Sequence, residues 1–194
     1  MSRSPDQERR AREDALPPET LARFEEMVLP WLDAAYNLAR HLLRDAHDAE
    51  DAVQDACVRA LRHFGGFRGE NPRAWLLTIV RHTCYSWRRR EGRHPAATEF
   101  DEELHGVGER GDDPEPAEER RRTSAQVERA LEQLPAEFRE VLVLRELEDL
   151  SYREIARIAD IPMGTVMSRL ARARRLLGEF VRAVSRAAEQ RVER

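Results

Sequence analysis

The chain contains no lysine: all 33 of its Lys+Arg residues are arginine. That bias fits the codon usage of a GC-rich genome, so the arginine count alone says little about phosphate binding. Cysteine is scarce. Cys57 and Cys84 stand apart and make no CxxC pair, which argues against a disulfide framework or a zinc site and for two reduced, packed thiols. Aromatic residues make up only 6% of the chain, and strand-like runs of Val, Ile, Thr and Tyr are almost absent. No apolar run approaches the length of a membrane span, and the N-terminal stretch lacks the apolar centre of a signal peptide. A cytosolic protein without membrane insertion is the expectation. His41, His47, His63, His82, His94 and His105 form no metal or catalytic spacing, and no Gly-rich phosphate loop occurs. No enzyme activity, metal or cofactor is expected.

What is present is helical periodicity and segregated charge. The formal net charge is -4, which argues against a simple nucleic-acid-coating protein. Its distribution is more telling. Asp45, Asp48, Glu50, Asp51 and Asp55 form an acidic cluster, whereas Pro72 to Arg90 carries arginines and no acid. Acids dominate again from Gly92 to Glu118, and the chain is basic from Ser151 onwards. Such alternation suggests several partner surfaces on one chain.

The expected fold is all-α, with two small helical domains joined by a flexible acidic linker. Residues 1–19 read as a disordered tail, 20–91 as the first domain and 92–122 as the linker. Residues 123–184 read as the second domain and 185–194 as a C-terminal tail. In the first domain Leu21, Phe24, Val28, Leu32, Ala35, Leu38 and Leu42 recur at helical spacing, with Pro30 placed to kink or divide the helix. A second helix has Asp48 as candidate N-cap, a buried stripe of Val53, Ala56, Cys57, Ala60, Leu61 and Phe64, and a stop at Gly65-Gly66. Asn71 followed by Pro72 is a strong start for a third. In the second domain Leu134-Pro135 separates two helices, and Ser151 with Glu154 forms a capping box. Asp160-Ile161-Pro162 makes a sharp turn before the last helix.

A short helix, a tight turn and a longer helix make a helix-turn-helix. Ile155, Ile158, Val166, Leu170, Ala173 and Leu177 can pack the two helices together. Thr165, Ser168, Arg172 and Arg175 then share another face, flanked by Arg169 and Arg174. Such a helix suits the DNA major groove, its start reading base edges and its cations meeting phosphates. A solvated Arg face on an ordinary bundle is the competing reading. The turn spacing and the Gly164-Thr165 start, which can bring backbone N–H groups near a phosphate, count against it.

The stretch "LPAEFREVLVLRELEDLSYREIARIADIPMGTVMSRLARARRLL" resembles region four of bacterial sigma factors of the extracytoplasmic-function type. "DAEDAVQDACVRAL" and "FRGENPRAWLLTIVRHTCYSWRRR" resemble region two of the same family. The resemblance implies a promoter-specificity subunit in the bacterial cytoplasm. It would bind core RNA polymerase through the β′ clamp and the β flap, direct it to promoters and assist strand opening. The resemblance also implies an inhibitory anti-sigma protein. The alternative is a stand-alone helix-turn-helix transcriptional regulator, which would not need the first domain.

The family's polymerase-binding pattern falls here on Asp51, Gln54 and Asp55, which share one helix face. By residue chemistry alone the preferred reading of that face is a solvated helix start favoured by the dipole. The reader of the minus-ten element falls on Phe67, Arg68, Glu70 and Asn71 in the loop. Arg81, His82, Arg88, Arg89 and Arg90 on the next helix would follow the DNA strand. Trp75 reads as core; Trp87 and Tyr85 read as core or as stacking platforms. The minus-thirty-five element would be met by Met163, Gly164, Thr165, Met167, Ser168, Arg169, Arg172, Arg174 and Arg175. The loop is about one residue shorter than the common family pattern, His82 stands where Asn is expected, and Met167 where a basic residue is frequent. The acidic segment Glu99 to Glu119 reads either as a mimic of nucleic acid in the polymerase channel or as a plain tether.

Overall fold

The computed structural model describes residues 17–90 and 114–192, with side chains described for 17–90 and 123–183. The expectations for the N-terminal tail and for the acidic segment therefore lie outside the described side chains. Among the described residues the secondary structure is helical throughout.

The first domain begins with α1 (Pro18–Val28) and a 3-10 turn at Leu29–Trp31. Pro30 lies inside that turn, where it divides the helix because it cannot donate to an interior rung. Then come α2 (Leu32–Leu43), α3 (Ala46–His63), a 3-10 turn at Phe64–Gly66, and α4 (Pro72–Arg90). The cap of α3 is Asp45, not Asp48: the Asp45 carboxylate accepts from the Asp48 N–H at 2.8 Å. Two aspartates three residues apart compete for this role, and the earlier one captures the orphan amide. Asn71 caps α4 as expected, accepting from Ala74 N–H at 2.9 Å.

α2, α3 and α4 pack mutually around Leu38, Leu42, Ala49, Ala52, Ala56, Leu76, Leu77 and Val80. The buried stripe of α3 is almost entirely alanine, which lets neighbouring helices approach closely. Val53, Cys57 and Leu61 are half-buried beside it. Leu21, expected in the stripe of α1, is 41% exposed. Burial pushes the Cys84 thiol up to about 12 and raises the half-buried Cys57 as well, so both thiols are held in the inert, protonated form.

The second domain contains α5 (Pro114–Gln133), α6 (Ala136–Leu142), a π-helical turn (Val143–Leu147), α7 (Tyr152–Ala159) and α8 (Met163–Val192). α5 starts inside the stretch read as linker, and α8 runs beyond residue 184. α5, α6 and α7 all pack on α8. The capping box of α7 is formed on both sides: Ser151 N–H donates to Glu154 at 2.8 Å, and Glu154 N–H donates to Ser151 Oγ at 3.3 Å.

The two domains touch. α4 packs on α7 and α2 packs on α6, so one apolar cluster runs through both cores. At this boundary the buried Arg139 donates to the carbonyls of Leu131 and Glu132 at the C-terminus of α5. Arg44 donates to the same Glu132 carbonyl from the other domain. A helix C-terminus favours cations, which is why two arginines can share it.

His41 on α2 sits near Arg139 and Arg40. Burial, then these two cations, hold its imidazole down at about 4 against an ordinary 6.5. The packed chain accepts only the neutral ring, so this contribution is full above pH 6.5 and drains away as pH falls towards 4. His41→Gln should remove about 2 kcal/mol of the stability lost between pH 7.5 and 5, read as a smaller drop in Tm than the native chain shows. Leu38→Ala, which empties a fully buried position, should cost about 2–5 kcal/mol in denaturant unfolding.

Candidate nucleic-acid interface

The helix-turn-helix is built as the sequence implies. α7 ends at Asp160, whose φ of 53 places it in the left-handed region. This conformation is tolerated by aspartate, and it turns the chain sharply before Pro162. Ile155, Ile158, Val166, Leu170 and Ala173 are buried and lock α7 on α8. Leu177, expected with them, is half-buried.

The outer face of α8 carries Met163 (53% exposed) and Met167 (52%), with Gly164, Ser168, Arg172, Arg174 and Arg175 also exposed. A Cβ at Gly164 would meet nothing within 4 Å, so the backbone at the helix start is open to an approaching ligand. Ser168 Oγ donates to the Thr165 carbonyl at 3.0 Å. The arginines are not equivalent. Arg174 is held by Glu146 at 2.7 Å, and Arg175 leans on Glu179 at 3.3 Å. Arg172 lies 6.0 Å over the Phe138 ring and has no ion pair among the described residues. It is the arginine best placed to turn outward to a phosphate or a base. Half-buried Arg169 lies on the side of α8 that faces Glu140.

Sequence reasoning passed over two further cations. Arg153 and Arg157, one turn apart on α7, are exposed and line an open groove of ≈ 640 Å³ that runs along Ala156, Asp160, Ile161 and Pro162 to Met163. Their i,i+4 spacing was the available signal. In a helix-turn-helix the first helix crosses the DNA backbone, which suits cations there.

In the first domain the loop before α4 is anchored by its aromatic ring. Phe67 packs 4.7 Å from Trp75 and stacks 6.0 Å from Phe64, which meets Phe24 edge-on at 5.3 Å. The half-buried Phe67 is therefore tied to the core, and Trp75 packs against the core as expected. A Cβ at Gly69 would come 2.9 Å from the Phe67 ring, so a larger residue there would have to displace that ring. Arg68 and Glu70 point to solvent. Along α4, His82 and Arg89 are exposed and Arg88 lies 5.8 Å over the Tyr85 ring. Trp87 is half-buried and donates to Asp55 at 3.2 Å. The loop and Arg88–Arg89 lie at opposite ends of α4, about 27 Å apart at the helical rise, so they could follow a strand but not form one pocket.

Two sequence-derived candidates are not free. Asn71 donates to Glu154 at 2.6 Å, and Arg81 pairs with the buried Glu140, both across the domain boundary. Arg73, counted in the sequence only as charge, pairs there too, with Glu148 at 2.5 Å.

On α3, Gln54 and Asp55 are exposed and Asp51 is half-buried, 4.0 Å from His47. Val58, 48% exposed, continues this face by one turn. An acidic patch with an apolar edge suits a basic, partly apolar helical partner.

No metal-binding group of His, Cys, Asp or Glu occurs among the described residues, and none of their helices is long and apolar enough to cross a membrane.

Comparison with known proteins covers both blocks. The family model for sigma-70 region 2 matches residues 27–94, and that for sigma-70 region 4 matches residues 124–177. The chain is 34% identical to the RNA polymerase sigma-H factor of Pseudomonas aeruginosa, over 85% of this chain and 89% of that protein. It is 36% identical to the ECF RNA polymerase sigma-E factor of Escherichia coli K12, over 72% and 76% of the two chains. Among solved structures it is similar to a Bartonella quintana sigma factor in complex with the anti-sigma factor NepR. That match has a TM-score of 0.68 and 30% identity over 82% of this chain and 97% of the other. It is also similar to CnrH in complex with the cytosolic domain of CnrY, with a TM-score of 0.59 and 25% identity over 82% and 88%. With both regions present in order and both built as the geometry above requires, the chain belongs to the sigma-70 family, as an extracytoplasmic-function sigma factor that directs RNA polymerase to promoters.

Proposed function

We propose that the two domains divide the labour of promoter recognition as follows. The α3 face of Asp51, Gln54 and Asp55, extended by Val58, meets the β′ clamp of core polymerase in the bacterial cytoplasm. The β flap is the second polymerase contact, on the second domain. The loop from Phe67 to Asn71 and the exposed side of α4 receive the minus-ten strand. The outer face of α8 enters the major groove at the minus-thirty-five element. The observation that carries this reading is the presence of both sigma regions in one chain, with the acidic α3 face left open to solvent. A stand-alone regulator is not favoured, since it would need no such face. The Bartonella neighbour is bound to an anti-sigma factor; we propose a comparable inhibitor for this chain.

One departure from the family pattern, Met167, changes the chemistry of the α8 face. Met167 presents an apolar tip where a cation is frequent, which suits contact with a thymine methyl and removes one phosphate contact. Arg172 then carries more of the binding.

Asp51→Arg with Gln54→Ala should abolish co-elution with core polymerase in size-exclusion chromatography at moderate salt while helicity is retained. Unchanged co-elution would remove the α3 assignment. Arg172→Ala should leave core binding intact and weaken holoenzyme binding to duplex promoter DNA by about 1–3 kcal/mol in a fluorescence titration. Equal loss of core and DNA binding would point to misfolding.

A further inference from the structure

The exposed face of α8 is split lengthwise. Residues four apart lie one above another on a helix. Met163, Met167 and Ala171 therefore form one strip, and Gly164, Ser168 and Arg172 form the next. All six are exposed, the two methionines at 53% and 52%. The first strip is apolar throughout, and the exposed Pro162 carries it on past the helix start. The second is small or polar and ends in Arg172.

Single exposed apolar side chains are ordinary on a protein surface. Three in line on one helix face call for a partner of matching chemistry, and charge says which. No acidic residue lies between Asp160 and Glu179, and the exposed Arg172, Arg174 and Arg175 flank the strip towards its C-terminal end. An apolar protein surface would have to lie against these cations. Duplex DNA supplies phosphates at the edges of the major groove and thymine methyl groups on its floor. Arg174, which continues the line of Met167, is committed to Glu146 at 2.7 Å, so this side of the face is left apolar in effect. Gly164 and Ala171, two turns apart, are the smallest side chains on the face. They let the helix settle close to the groove floor, where the methionine tips reach base edges. The unbranched thioether of methionine adapts its shape to such a contact.

We infer that the strip of Met163, Met167 and Ala171 reads thymine methyl groups and sets a preference for neighbouring thymines on one strand of the minus-thirty-five element, beside the bases met by Ser168 and Arg172. The inference rests on the proposed entry of α8 into the major groove and extends it to a sequence preference. From Met163 to Ala171 the helix rises about 12 Å, which spans about three base-pair steps.

The test uses holoenzyme, made from core polymerase and the full-length chain, on duplexes enriched from a randomised DNA pool. The enriched upstream element should hold two thymines on one strand within about three steps. The same duplex is then made with deoxyuridine in place of those thymines, which removes the methyl groups and keeps every hydrogen-bonding group. Burial of one methyl group is worth roughly fourfold in affinity, so the exchange should weaken native binding about tenfold in a fluorescence titration. Met163→Ala with Met167→Ala should bind the thymine duplex about tenfold more weakly and lose the response to the exchange. Arg172→Ala, on the neighbouring strip, should weaken both duplexes equally and keep the response. Enrichment of an element without these thymines, or equal affinity of native holoenzyme for the two duplexes, overturns methyl reading while α8 remains the duplex-binding helix. If replacing Met163, Met167 and Arg172 together changes neither the enriched sequence nor the affinity, the entry of α8 into the groove is overturned as well.

Discussion

A carboxylate with no exposure stays charged only with a cation or hydrogen-bond donors against it, and Glu140 is a carboxylate of this kind. Its cation comes from a different domain, 59 residues earlier. Burial alone drives the Glu140 carboxyl above its ordinary range, while the Arg81 guanidinium and the Tyr85 hydroxyl pull it back. The arrangement of the two domains follows from this requirement. Once Arg81 is committed to Glu140, α4 lies along the second domain, Arg73 reaches Glu148 and Asn71 reaches Glu154. Glu154 shows how closely local and long-range structure are tied: one oxygen closes the capping box of α7 and the other accepts from Asn71.

The consequence for function is a protein with two faces of opposite character. The acidic α3 face and the arginine-bearing α8 face stay open to solvent, whereas the α4 side between them is closed.

Local features were legible in the sequence because they depend on neighbours in the chain. Asn71-Pro72, Ser151 with Glu154, and the Asp160 turn all form as their chemistry dictates. Errors came where two residues offered the same chemistry or where surroundings decided the outcome. Asp45 outcompeted Asp48 for the cap, and Leu21 kept its helical phase but found no partner. The domain boundary was illegible for a different reason. Glu140 and Glu148 read as ordinary polar positions in a helical stretch, and nothing in their spacing says that arginines from α4 will enclose them. For the same cause Asn71 and Arg81 were legible as strand-binding candidates but not as residues already engaged. Arg153 and Arg157 were legible by their spacing, but a lone pair of cations on a short helix reads as an ordinary solvated face.

The most direct measurement is transcription in vitro by core RNA polymerase from a GC-rich bacterium, with and without this protein, on fragments of a GC-rich bacterial genome. The account predicts discrete new start sites that appear only with the protein and share two sequence elements at a fixed spacing. A protein that forms a stable complex with core polymerase yet yields no start beyond those of core alone would contradict it.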